Sequence, residues 1–143
     1  MLEVADSPRC LDDAGLERLA DHLQCLLLEE NCTGGLTTIP SGVLEGAMHR
    51  LEDERAALLA ARDLSPTGRR RHEVYQAARA SLAEVRAVRT AKILRFVASE
   101  VLVGEGTLPE ERVGGMLPDE VEVYRAVRRA VEDPDGLAKG SRG

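Results

Sequence analysis

The chain has 143 residues, enough for one domain with a core of its own. Hydrophobic residues make up 43% and charged residues 31%, which excludes a disordered chain, and a net charge of −6 excludes a protein that grips DNA through overall basicity. Aromatic residues are only 2%, while Ala, Leu, Glu and Arg abound, so helix is favoured over strand.

The first ten residues read as loosely held. Leu16, Leu19, Ala20, Leu23, Leu26 and Leu27 then recur at steps of three and four, predicting a helix over 11–31 with one apolar stripe. Asp12 and Asp13 suit its first turn, and Gly34-Gly35 its end. Residues 36–40, Leu-Thr-Thr-Ile-Pro, form an extended link, because Pro40 biases Ile39 away from helical angles. A second helix is expected over 41–62, with Ser41 as N-cap and Leu44, Ala47, Met48, Leu51, Arg55 and Leu58 on its inner side. Ser65-Pro66 reads as an N-cap followed by proline at the first helical position. The third helix, expected over 66–102, would reach roughly 55 Å unbroken and so forms the spine of the bundle. Its seam is Val74, Ala78, Leu82, Val85, Val88, Ile93, Phe96, Val97 and Val101, and it drifts near Arg89, where a bend or a change of packing partner fits. A Gly-rich connection over 103–117 precedes a last helix, expected over 118–133, that buries Val121, Tyr124, Val127 and Val131. The expectation is an all-α bundle of four to five helices around one long central helix, one domain over 1–133 and a frayed tail over 134–143.

Chemistry-bearing clusters are few. The three cysteines, Cys10, Cys25 and Cys32, are odd in number and follow no signal peptide, so no disulfide framework is expected. No apolar stretch is long enough to cross a membrane, and the chain reads as cytoplasmic. His22 and Cys25 lie three apart on a helix and Cys32 lies past its end, but a structural zinc site needs four ligands in paired close spacings. The expectation is no metal, with Cys25 packed as a small apolar residue and His22 solvated. The carboxylate pairs are neighbours in sequence and diverge on a helix, so they form no acid/base pair. No phosphate-binding glycine loop or nucleophile elbow is present. The chain is therefore read as no enzyme, with no cofactor.

Two basic groups stand out. Arg69, Arg70 and Arg71 sit in the opening turns of the long helix, against the helix dipole, and suit phosphate or an acidic partner; pairing with Glu73 or Glu52–Glu54 is the structural alternative. Arg86, Arg89 and Lys92 repeat every three residues beside the apolar seam, where they either pair with acids on neighbouring helices or meet another subunit.

Three segments carry a family resemblance. Leu36-Thr37-Thr38-Ile39-Pro40 before an amphipathic helix, the spaced Arg86, Arg89, Lys92 and Ile93 of the long helix, and Met116-Leu117-Pro118-Asp119-Glu120 through Tyr124 together resemble the archaeal GINS replication proteins. They occur in family order and span nearly the whole chain. The resemblance implies a helical A domain, of the class in which it precedes a strand-rich B domain. It also implies a non-catalytic subunit of a homo- or hetero-tetramer of GINS subunits, linking the MCM helicase to a RecJ-like partner in DNA replication, nucleoid-associated and in contact with DNA only indirectly or weakly. By the same resemblance Arg86, Arg89, Lys92, Ile93 and Tyr124 would supply subunit contacts. Ten residues follow Asp133 and none reads as a strand: either this member lacks the B domain or the chain is a piece of a longer one, and functions that a B domain carries, such as docking of helicase partners, are not carried over from the resemblance. The alternative is a small helical DNA-binding regulator that places Arg69, Arg70 and Arg71 on phosphates, recognisable by salt-dependent binding. An enzyme with its site in the Gly-rich connection is a third reading, supported only by loop length.

Overall fold

A computed structural model describes residues 12–103 and 115–132, with side chains of the long helix described through Glu100. Four α-helices run through these residues, and no strand is found among them: α1 (Asp13–Cys32), α2 (Val43–Ala61), α3 (Pro66–Val103) and α4 (Pro118–Glu132). The fold is all-α and built along one long helix, as the composition and spacing lead one to expect.

Local chemistry sets the helix ends. Asp12 caps α1, its Oδ1 accepting the Gly15 N–H at 2.7 Å. The expected cap of α2 is corrected: Gly42, not Ser41, holds the N-cap position, with φ of 88° in the left-handed region that glycine tolerates. The helix therefore starts two residues later than the spacing suggested. At the other end Arg62 also lies in the left-handed region, with φ of 48°, and donates its N–H to the Leu58 carbonyl. For α3 the expected cap is present: Ser65 Oγ accepts the Gly68 N–H at 3.1 Å, with Pro66 at the first helical position. Gly68 is required there, because an added Cβ would collide with the backbone oxygen and side chain of Asp63.

The chain divides into two compact units, with the break in α3 falling between Arg86 and Ala87. The drift of the α3 stripe near Arg89 lies at this change of partners.

The first unit comprises α1, α2 and the N-terminal part of α3. Its core is Leu16, Leu19, Leu23 and Leu26 from α1, Leu44, Ala47 and Leu51 from α2, and Tyr75, Ala78, Leu82 and Val85 from α3. The expected inner line of α2 is corrected in part. Met48 is 38% exposed and Arg55 is on the surface, while Glu54 is fully buried. The line runs 44, 47, 51, 54, so position 54 takes the inward slot and its carboxylate needs a cation. Tyr75, absent from the expected seam, is buried, and Val74 beside it is half-buried.

The second unit comprises the link Thr33–Ile39, the remainder of α3 and α4. Ile93, Val97, Met116 and Tyr124 form its apolar centre, with Leu36, Phe96, Val121 and Val127 packed against it. α4 buries Glu120, Tyr124 and Arg128, which recur every four residues, and turns Val131 outward at 46% exposure, contrary to expectation. Most of the Gly-rich connection, the side chain of Val101 and the expected tail lie outside the described residues.

Candidate functional site

The second unit is organised around one guanidinium. Arg89 is completely buried on α3, and a buried arginine is tolerable only when its five N–H donors find acceptors. Here its Nε and Nη2 grip Glu120 in a two-pronged bridge, at 2.8 and 2.9 Å. The Nη2 group also donates to the Gly115 carbonyl at 2.9 Å, and Nη1 donates to the carbonyl and the hydroxyl of Thr37 at 2.9 and 3.3 Å. Glu120 is further employed as a helix cap: its Oε1 accepts the Leu117 N–H at 2.9 Å, one half of a capping box. One turn along α3, Lys92 is 3% exposed and donates to the carbonyls of Thr33 and Gly35 at 2.9 and 2.8 Å. The link of residues 33–39 is non-helical, with a bend at Gly34 and Gly35, and Arg89 and Lys92 supply donors for its backbone carbonyls.

A second buried cluster lies farther along α3. Glu100, 2% exposed, accepts hydrogen bonds from the Tyr124 hydroxyl and, at 2.7 Å, from Arg128 Nη1. Arg128 in turn pairs with Glu132 at 2.9 Å one turn away. Burial of its phenol, reinforced by the bond to Glu100, raises the Tyr124 pKa. The bonds of Arg128 to Glu132 and to the Tyr124 hydroxyl hold its guanidinium protonated above the ordinary range.

The residues expected to meet another subunit are thus placed in two ways. Arg89, Lys92, Ile93 and Tyr124 are buried at 3% exposure or less, turned toward groups of the chain itself and away from its surface. Arg86 is half-buried, with Nη1 at 3.5 Å from Met48 Sδ.

The arginine run separates likewise. Arg71 turns inward, bridging the buried Glu54 of α2 at 2.5 and 2.8 Å and pairing with Asp13 of α1. Donating these hydrogen bonds to Glu54 raises the Arg71 pKa above the ordinary range. Arg70 meets Glu17 at 3.1 Å on the surface, and Arg69 Nε donates to the Leu64 carbonyl at 3.2 Å. These three arginines therefore hold different partners, and Arg71 ties the three helices of its unit together, as the alternative of pairing within Glu52–Glu54 anticipated.

His22, Cys25 and Cys32 are exposed, so Cys25 does not pack as the apolar residue expected. Among the described residues no group of three or more His, Cys, Asp or Glu side chains is placed to hold a metal ion, and no helix is long and apolar enough to cross a membrane. Sequence reasoning missed the burial of Glu54, the place of Glu100 and the role of Thr37. A signal existed for the first, because Glu54 continues the spacing of Ala47 and Leu51; Thr37 is joined to Arg89 across 52 positions and carries no local signal. Comparison with known proteins finds no matching family model, no matching curated protein and no matching solved structure.

Proposed function

We propose that this chain is a non-catalytic subunit of a GINS-type replication complex, scaffolding the MCM helicase and a RecJ-like partner during DNA replication. The observation that supports this reading is the meeting of its three family-like segments. Thr37 comes from the Leu-Thr-Thr-Ile-Pro link, Arg89 and Lys92 from the spaced basic residues of α3, and Glu120 and Tyr124 from the last helix. Short motifs that match by chance have no reason to converge, yet these converge on Arg89 through hydrogen bonds spanning 52 and 31 positions.

In this reading the motif residues maintain the subunit's own helical domain, and contact with other subunits falls to exposed faces, with Arg86 the surviving candidate from the spaced series. Arg70 and Arg71 are engaged by carboxylates, which favours indirect or weak contact with DNA over direct phosphate binding. The test is co-expression with candidate GINS subunits, followed by native mass spectrometry and capture of the MCM helicase. A tetramer that retains the helicase is expected. A strict monomer at micromolar concentration that captures neither GINS subunits nor helicase overturns the reading.

A further inference from the structure

The first unit carries an open groove where α2 turns into α3, with a volume of about 1020 Å³. Its apolar lining includes Leu58, Leu59, Leu64 and Tyr75. Leu59 is 61% exposed and Leu64 81% exposed, so two leucines a few residues apart in sequence face water together. Leucines exposed side by side in a groove form an apolar face that the apolar side chains of another molecule can cover. Arg55, Arg62, Arg69 and Arg79 also line the groove, against the carboxylates of Asp63 and Glu73. This local excess of positive charge belongs to a chain whose net charge is −6. The Asp63 carboxylate is already occupied by the Ser65 N–H.

We propose that this groove docks an acidic amphipathic helix from a partner protein. A helix laid in the angle of two others presents leucines at i, i+3 or i+4, and i+7 to the apolar lining, while its flanking Asp and Glu side chains meet the guanidinium forks. Nucleic acid fits less well: the apolar lining is mostly leucine, Tyr75 is 4% exposed and offers no stacking face, which leaves His72 as the one exposed ring in the lining, and carboxylates interrupt the arginines. The inference does not depend on the replication reading, since every lining residue belongs to the first unit and none to the family-like segments.

The test is selection of a displayed random-peptide library on the immobilised full-length chain, followed by binding of the selected peptide, synthesised and labelled, measured by fluorescence anisotropy. Selected sequences are expected to share helically spaced Leu, Ile or Phe with interleaved Asp and Glu. Leu59→Asp combined with Leu64→Asp should weaken binding about tenfold or more, and Arg62→Glu combined with Arg79→Glu should weaken it and flatten its salt dependence. These side chains are exposed, so the variants should keep the wild-type helical signal and melting point. Leu94→Asp, which removes a leucine 45% exposed on the second unit, should bind as wild type. Overturning results are selection of no common pattern, of basic peptides, or of peptides indifferent to the Leu59 and Leu64 changes. Loss of a homodimer on Leu64→Asp would assign the groove to a second copy, and binding of single-stranded DNA that depends on Arg62 and Arg79 would assign it to nucleic acid; either overturns the proposal.

Discussion

Two residues at the α2–α3 corner sit in backbone positions that decide what side chain they tolerate. Arg62 adopts φ of 48° and ψ of 44°, a conformation that an L-residue with a Cβ enters at a cost of about 1 kcal/mol. Arg62→Gly is therefore expected to stabilise the protein by about 0.5–1 kcal/mol, read as a rise in the midpoint of urea denaturation at unchanged slope. A lower midpoint would show that the arginine side chain contributes more than its backbone costs. Gly68 is the opposite case. Its Cβ position is occupied by Asp63, so Gly68→Ala should destabilise by about 1–3 kcal/mol in the same measurement. Tyr124 supplies a pH dependence. Its phenol titrates above the ordinary value near 10.0 because burial disfavours the phenolate. A folded pKa above the unfolded one means that this group's stabilising share is complete below the unfolded value and is lost as pH rises through the folded value. Absorbance titration should show Tyr124 ionising late, as a step that Tyr124→Phe abolishes. A titration curve that the substitution leaves unchanged at high pH would overturn the assignment.

At the scale of elements, the helix ends depend on a few side-chain oxygens. Ser65→Ala removes the acceptor of the Gly68 N–H and should cost about 1 kcal/mol, with amide exchange accelerating first in the opening turn of α3. Uniform acceleration along α3 would instead mean that the hydroxyl is not a local cap. The helices themselves were legible because their signals are local: the leucine ladder of α1, Ser65-Pro66 before α3 and Pro118 opening α4 all act within a turn or two. What the periodicity misjudged has one physical cause. Hydrophobicity alone cannot rank an inward position held by a charged residue, since that depends on a counter-ion far along the chain. Periodicity ranks Met48 and Arg55 above Glu54, yet Arg71, seventeen positions away, makes the burial of Glu54 affordable. Apolarity points Val131 inward, whereas Arg128 takes the inner line of α4 by reaching Glu100. In the same way the spaced Arg89 and Lys92 were recognisable as special, but their direction was not, because the acceptors lie on the Thr33–Ile39 link and beyond the glycine-rich segment.

For the molecule as a whole, Arg89 is where the second unit is most vulnerable. Arg89→Ala strands the Glu120 carboxylate in a largely buried position and strips donors from Thr37 and Gly115, at an expected cost of about 3–5 kcal/mol. Arg89→Lys keeps the charge but loses the fork, so it should also destabilise, though less. Hydrogen exchange should show lost protection in α4 and the C-terminal part of α3, with α1 and α2 little changed. Equal loss in α1 would show that the two units melt as one. The same guanidinium constrains how the chain is made. Its partners lie 52 positions before it and 26 and 31 after it, so the knot closes large loops and cannot form on a chain that has not yet reached Glu120. The residues of the first unit end at Arg86, so all of them have left the ribosome's catalytic centre before Glu120 is added. In that interval Ile93 and Val97 emerge without their cover, and a nascent chain stalled there presents a sticky half-helix for a chaperone to hold.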